Sequence, residues 1–184
     1  MTETYEGYKK PVSGAHEHAL AADCNTCAVH RFLYSVEREY AHPIEKLWAA
    51  WTSAEALESW YHPTILQSVP GLSQSDAQVG GVWAVAVDVP MNDFVAYFFG
   101  WYKTVEPMRR IEHTMSYTQS RDEFDQRDPD APAHEIVIEF EPRDGGSWCK
   151  FSQFGDLPEE MIDATIDGMN SYFDSLGMYL DEIA

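Results

Sequence analysis

At 184 residues, with 31 acidic against 12 basic side chains and a formal charge of -19, the chain is long enough for one filled core and short for two. Charge of that sign repels nucleic-acid phosphates and anionic membrane surfaces, which weighs against a nucleic-acid partner. No apolar run approaches a membrane span, the start Met1-Thr2-Glu3-Thr4-Tyr5 lacks the order of a secretion signal, and three cysteines suit a reducing compartment, so a cytoplasmic protein is expected.

Residues 1–30 carry neither helical nor strand periodicity and are expected to form an irregular N-terminal arm to a single domain over residues 31–184. Within the arm, His16 and His18 precede Cys24-Asn25-Thr26-Cys27 and His30. Thiolates and imidazoles at such short spacings can close a tetrahedral zinc site, and the alternative is an arm with scattered thiols and histidines. No other cofactor is expected.

From Arg31 to Tyr40 the residues alternate, with Phe32, Tyr34, Val36, Arg38 and Tyr40 on one face of a half-buried strand. Arg38 on that face needs an acid, a carbonyl or a ligand for its guanidinium. His42-Pro43 ends the strand. Two short helices follow, the first with Ile44, Leu47, Trp48 and Trp51 on one side, the second capped by Ser53 and stopped at Tyr61-His62-Pro63. In the next strand Trp83, Val85, Val87 and Val89 share a face. Phe94 to Val105 is nearly all apolar, as a strand buried on both sides would be, and Gly100 within it suggests a bulge or bend. Arg109 to Thr118 is a further strand, the acidic stretch Gln119 to Pro132 reads as a solvated loop, and Ile136, Ile138 and Phe140 alternate before the turn Asp144-Gly145-Gly146 and a returning strand to Phe154.

The last stretch is the most regular. Ile162, Ile166, Met169, Phe173, Leu176, Leu180 and Ile183 recur at steps of four and three, one apolar stripe on a long helix that Pro158 is placed to open. Asp163, Asp167, Asp174 and Asp181 fall off the stripe. These elements predict an α+β fold: a curved antiparallel sheet of about six or seven strands around a long C-terminal helix, with two short helices after the first strand.

The stretch Glu37 to Trp48 resembles the opening of the START and birch-pollen-allergen superfamily, in the branch of the activator of the heat-shock protein 90 ATPase. Similar in the same order are Trp60-Tyr61-His62-Pro63, Val79-Gly80-Gly81, Gly100-Trp101-Tyr102, Gly145-Gly146-Ser147 and the closing Gly168 to Leu176, with Met169 where tryptophan is usual. The resemblance spans residues 34–182 and implies a helix-grip fold with a pocket between sheet and long helix. It carries over no shared catalytic residue set, and it leaves the arm outside.

The function expected is binding of a small hydrophobic or aromatic ligand in that pocket, walled by Tyr40, Trp83, Trp101, Phe151, Met169 and Phe173, with Arg38, His113 and Gln153 as polar points. Each aromatic can equally be core filling. The alternative is a cyclase, lyase or hydrolase using Arg38, Glu112 and His113, although strand alternation puts Glu112 and His113 on opposite faces. A third reading is a co-chaperone-like protein partner for the acidic surface.

Overall fold

The computed structural model describes residues 31–184. It opens with β1 (Arg31–Tyr40), followed by α1 (Ile44–Thr52) and α2 (Ala54–Trp60). Ser53 separates the two helices, and its hydroxyl accepts from the Ala56 amide at 3.4 Å, capping α2 as its position predicts. Two short strands, β2 (Gln67–Ser68) and β3 (Gln74–Ser75), lead into β4 (Val82–Val89), β5 (Phe94–Glu106) and β6 (Arg110–Thr118). After α3 (Arg121–Gln126) come β7 (His134–Arg143), β8 (Gly146–Gly155), a single turn at Glu159–Met161 and the long α4 (Ile162–Glu182).

All pairings are antiparallel, in the order β1-β8-β7-β6-β5-β4-β2, with β3 also on β4. Six strands are long and two have only two residues. The sheet curls around α4, which gives the predicted helix-grip plan. Met169, Phe173, Leu176 and Leu180 of the apolar stripe are buried, Ile162 and Ile166 partly so, and Ile183 lies past the helix end and is exposed. The helix starts at Ile162; Pro158 instead precedes the short turn. Its last turn carries no basic residue, and Lys46 of α1 supplies one in space, donating to the Ile183 carbonyl at 2.9 Å where the helix dipole is negative.

Both faces of β4 and β5 are covered, because alternate residues are apolar on each side. Val85, Val87, Ala96, Phe98 and Tyr102 face the main core under α4. Ala84, Ala86, Tyr97 and Phe99 face the other way, onto Phe124. The acidic stretch after β6 is therefore not only a solvated loop. Ser120 accepts from the Glu123 amide at 3.3 Å and starts α3, which places Phe124 over the outer face with 1% of its surface exposed. Ser120-x-x-Glu123 is the sequence signature of such a start.

Two local expectations are corrected. Gly100 marks a close approach, since a Cβ there would lie 1.8 Å from the Thr114 carbonyl oxygen; the register shift of β5 against β6 falls instead between Tyr102 and Thr104. In β1 a shift between Phe32 and Tyr34 takes Phe32 off the inner face and leaves it 53% exposed.

Candidate functional site

The concave face between the sheet and α4 has a solid half and a looser half. In the solid half Trp51 of α1 sits against Trp60 at 4.7 Å and Phe173 at 6.2 Å between ring centres, and its ring stacks over Phe151 at 6.5 Å. Trp83, Phe151 and Phe173 are buried to 1% exposure or less, so these three expected pocket walls are core filling. Tyr40 is buried with them. Its hydroxyl donates to the Phe173 carbonyl at 3.0 Å, and burial pushes its phenol well above the ordinary range, so it stays protonated and serves as a tie between β1 and α4.

Arg38 reaches out of this core to the Asp174 carboxylate on α4, and its guanidinium lies 5.8 Å from the Phe173 ring centre. The acid that Arg38 needs is thus a residue of the helix's polar side. Cys149 of β8 faces inward, fully buried, and burial pushes its thiol above the ordinary range, which leaves it an inert hydrophobe.

His113 is packed 4.5 Å from the Trp83 ring centre and edge-on to Tyr102 at 5.9 Å. Its Nδ1–H donates to the Thr114 carbonyl at 2.8 Å. Burial lowers its pKa to about 4, so the ring is neutral near pH 7. Glu112 lies on the other face, accepting from Thr104 at 2.7 Å and from Arg110 at 2.8 Å, which holds its carboxyl below the usual range. The two do not meet, as strand alternation requires.

The looser half lies where β1, β5 and β7 begin and β4, β6 and β8 end. The first half of α4 spans it. The closest backbone approach of α4 to other elements is to β1, α1 and α2. Phe94, Met115, Tyr117, Leu157, Ile162 and Ile166 are only partly buried against the core in this half, while Tyr172, also partly buried, packs on Tyr61 at the end of α2 with ring centres 5.0 Å apart. Of the expected ligand contacts, Met169 and Gln153 belong to this mouth.

Gln153 is the centre of a polar chain in its wall. The Tyr34 hydroxyl donates to Gln153 Oε1 at 2.7 Å, Gln153 Nε2 donates to His134 Nδ1 at 2.5 Å, and His134 Nε2 lies 3.1 Å from the Asp156 carbonyl. An amide nitrogen only donates and a carbonyl only accepts, so in this arrangement His134 accepts at Nδ1 and donates from Nε2. Gly155 lets the imidazole in, since a Cβ there would sit 2.4 Å from His134 Cδ2. Sequence reading missed Tyr34 and His134 as a pair with Gln153, because they come together only through the pairing of β1 and β7 with β8.

Trp101 does not reach this space. It packs on the outer face, 6.1 Å from the Phe99 ring centre, beside the Phe124 cluster. The expected zinc ligands Cys24, Cys27, His30, His16 and His18 lie outside the described residues. Among the described residues no group of three or more histidine, cysteine or carboxylate side chains is placed to hold a metal ion, and no helix is long and apolar enough to cross a membrane.

Two surface grooves open at the opposite end of the sheet. One, of about 280 Å³, runs between Tyr40 and the β7–β8 turn; the other, of about 330 Å³, lies beside the β5–β6 turn. At the first groove Arg143 pairs with Glu141, and at the second Arg110 pairs with Glu139.

The fold recurs in solved proteins of low sequence identity. The AHSA1 protein of Silicibacter pomeroyi superposes with a TM-score of 0.68 at 18% identity, covering 82% of this chain and 99% of that one. A Staphylococcus epidermidis protein gives 0.66 at 24% identity over 82% and 90% of the two chains, and CV1439 of Chromobacterium violaceum gives 0.64 at 21% over 79% and 94%. No curated protein matches the chain. A family profile, that of the Activator of Hsp90 ATPase homolog 1-like proteins, matches residues 41–181, from the end of β1 to the last turn of α4, and the chain belongs to that family.

Proposed function

We propose that the protein binds a small hydrophobic or aromatic molecule at the mouth between the first half of α4 and strands β5 to β7. The observation that carries this reading is the contrast within one concave face. Its deep half is packed solid by Trp51, Trp83, Phe151 and Phe173, whereas Phe94, Met115, Tyr117, Ile162 and Ile166 in its outer half are only partly buried against the core. Met115 and Met169 add adaptable walls, since methionine repacks around irregular contents. A ligand seated there displaces water from apolar surface and rests on a rigid floor.

Native mass spectrometry of the protein, compared with its denatured mass, tests this directly. An organic mass lost on denaturation, or binding of an added apolar dye that Ile166→Trp blocks, is expected. A bare polypeptide that takes up no apolar dye overturns the reading. The buried reduced thiol of Cys149 suits the cytoplasmic setting expected for it.

A second reading, a protein partner of the kind the family description names, is favoured by the formal charge of -19, which would speed encounter with a basic surface. Its test is whether the protein changes the ATP turnover of a chaperone ATPase.

A further inference from the structure

The chain enters the described fold at the mouth. Arg31 opens β1 opposite Gly155, the last residue of β8, and Phe32 beside it is 53% exposed with its ring edge-on to Phe154 at 5.6 Å. Residues 1–30 therefore join at the end of the sheet that the first half of α4 spans. A random chain of that length has an end-to-end distance of about 30 Å, so the mouth lies within reach of the segment, at an effective concentration on the order of millimolar.

The mouth suits an aromatic segment with a basic flank. Met115, Ile162 and Ile166 are partly buried against the core, and Phe94 and Tyr117 beside them each make an interaction beyond those named above, so these rings are already engaged in the chain. Asp156, Glu159, Glu160 and Asp163 are exposed next to them, where β8 ends and α4 begins. Within residues 1–30, the run Tyr5-Glu6-Gly7-Tyr8-Lys9-Lys10-Pro11-Val12 brings together both tyrosines and both lysines of the segment. Tyrosine rings bury a large apolar area and pair edge-on or offset with other rings, and two adjacent ammonium groups complement the carboxylates.

We infer that residues 5–12 of the same chain dock on the mouth, Tyr5 and Tyr8 against Phe94, Met115 and Tyr117, with Lys9 and Lys10 at the carboxylates that follow β8. Resting on the ligand-binding reading above, this makes the segment a built-in competitor that a ligand has to displace. Tethering is what gives it force: a segment that binds only at about 0.1 mM as a free peptide occupies the mouth most of the time when it is held there at millimolar effective concentration.

The docking is tested with the full chain carrying Tyr8→p-benzoylphenylalanine, photolysed at low protein concentration and digested, since benzophenone inserts into the C–H bonds it touches and favours methionine. Cross-links within one chain to Met115 or to residues 162–166 are expected. Equal yields at the exposed Met108 and Met178, on the β5–β6 turn and the second half of α4, overturn the docking. Cross-links formed only between two chains overturn it too, and assign the mouth to the segment of a second copy. The competition is read separately: Tyr5→Ser, Tyr8→Ser should bind an uncharged apolar dye about three- to tenfold more tightly than the unmodified chain. Lys9→Glu, Lys10→Glu should do so at low salt, the difference shrinking as salt screens the carboxylates. Equal dye affinity in the unmodified chain and the tyrosine variant overturns the competition. No dye binding in either, with the Met115 cross-link present, overturns the ligand-binding reading and leaves the docked segment standing.

Discussion

Arg38 on β1 and Asp174 on α4 form an ion pair that ties the sheet edge to the long helix, with the guanidinium also lying over Phe173 one residue earlier. The Arg38 side chain is 31% exposed and that of Asp174 57%, so water screens the pair. Arg38→Ala should lower stability by only about 1 kcal/mol, a double-mutant cycle with Asp174→Asn should recover roughly half of that as coupling, and binding of an apolar dye should be unchanged. A large loss of dye binding in Arg38→Ala would show instead that this arginine serves the ligand.

His113 makes stability depend on pH. Its folded pKa, about 4, lies below the ordinary histidine value of 6.5, so between these values the unfolded chain binds a proton that the folded one refuses. Stability should therefore fall as pH drops from 6.5 towards 4, by up to about 3 kcal/mol from this residue alone, and be flat above 6.5 on its account. Glu112, held below the usual carboxylate range by Thr104 and Arg110, loses its contribution in the same direction at lower pH still. Urea midpoints measured across this range should be less steep in His113→Gln than in the unmodified protein.

Phe124 anchors the outer face without touching the concave one. Phe124→Ala should cost about 3–4 kcal/mol by opening a cavity against Tyr97 and Phe99, and Ser120→Ala about 1 kcal/mol through loss of the α3 cap. Dye binding at the mouth should survive both, provided it is measured at a temperature where the variants remain folded by circular dichroism.

The polar chain through Gln153 is a demanding feature of the mouth because it is buried. Gln153→Leu removes the acceptor of the Tyr34 hydroxyl and the donor to His134 Nδ1, and should destabilise by about 1–3 kcal/mol. Adding Tyr34→Phe should remove part of that penalty, since one of the two groups that lose a hydrogen bond to Gln153 goes with it. Chemical denaturation of the single and double variants reads this, and strictly additive losses would mean the two side chains do not act together.

Gly100 has no room for a side chain. Gly100→Ala puts a Cβ 1.8 Å from the Thr114 carbonyl oxygen, against backbone that cannot swing away. The expected result is a lowered thermal midpoint with the separation of β5 and β6 visible as faster amide exchange along Tyr97 to Phe99, by contrast with little change for Gly71→Ala, where a Cβ meets nothing within 4 Å but the backbone φ of 76° costs about 1 kcal/mol.

Where one local period decided the outcome, the residues alone were enough. The three-and-four spacing from Ile162 to Leu180 determined α4 and its buried face, alternation separated Glu112 from His113, and the rule against a lone buried charge required an acid, a carbonyl or a ligand for Arg38, of which the tertiary structure supplies the acid, Asp174. Register was another matter. Phe94 to Val105 is apolar on both faces, so nothing along β5 says which side Trp101 takes; its partner Val82 across the β4 ladder does, and both lie outside. Phe32 likewise leaves the inner face through a shift that exists only in the pairing with β8. Phe124, the one apolar residue of α3, became a core residue because β4 and β5 present it with a second apolar surface, and Tyr34, Gln153 and His134 became one network because three strands distant in sequence lie side by side. Periodicity is a property of neighbours in the chain, whereas facing, pairing and enclosure are set by the partner strand, whose position is fixed only when the whole sheet closes around its helix.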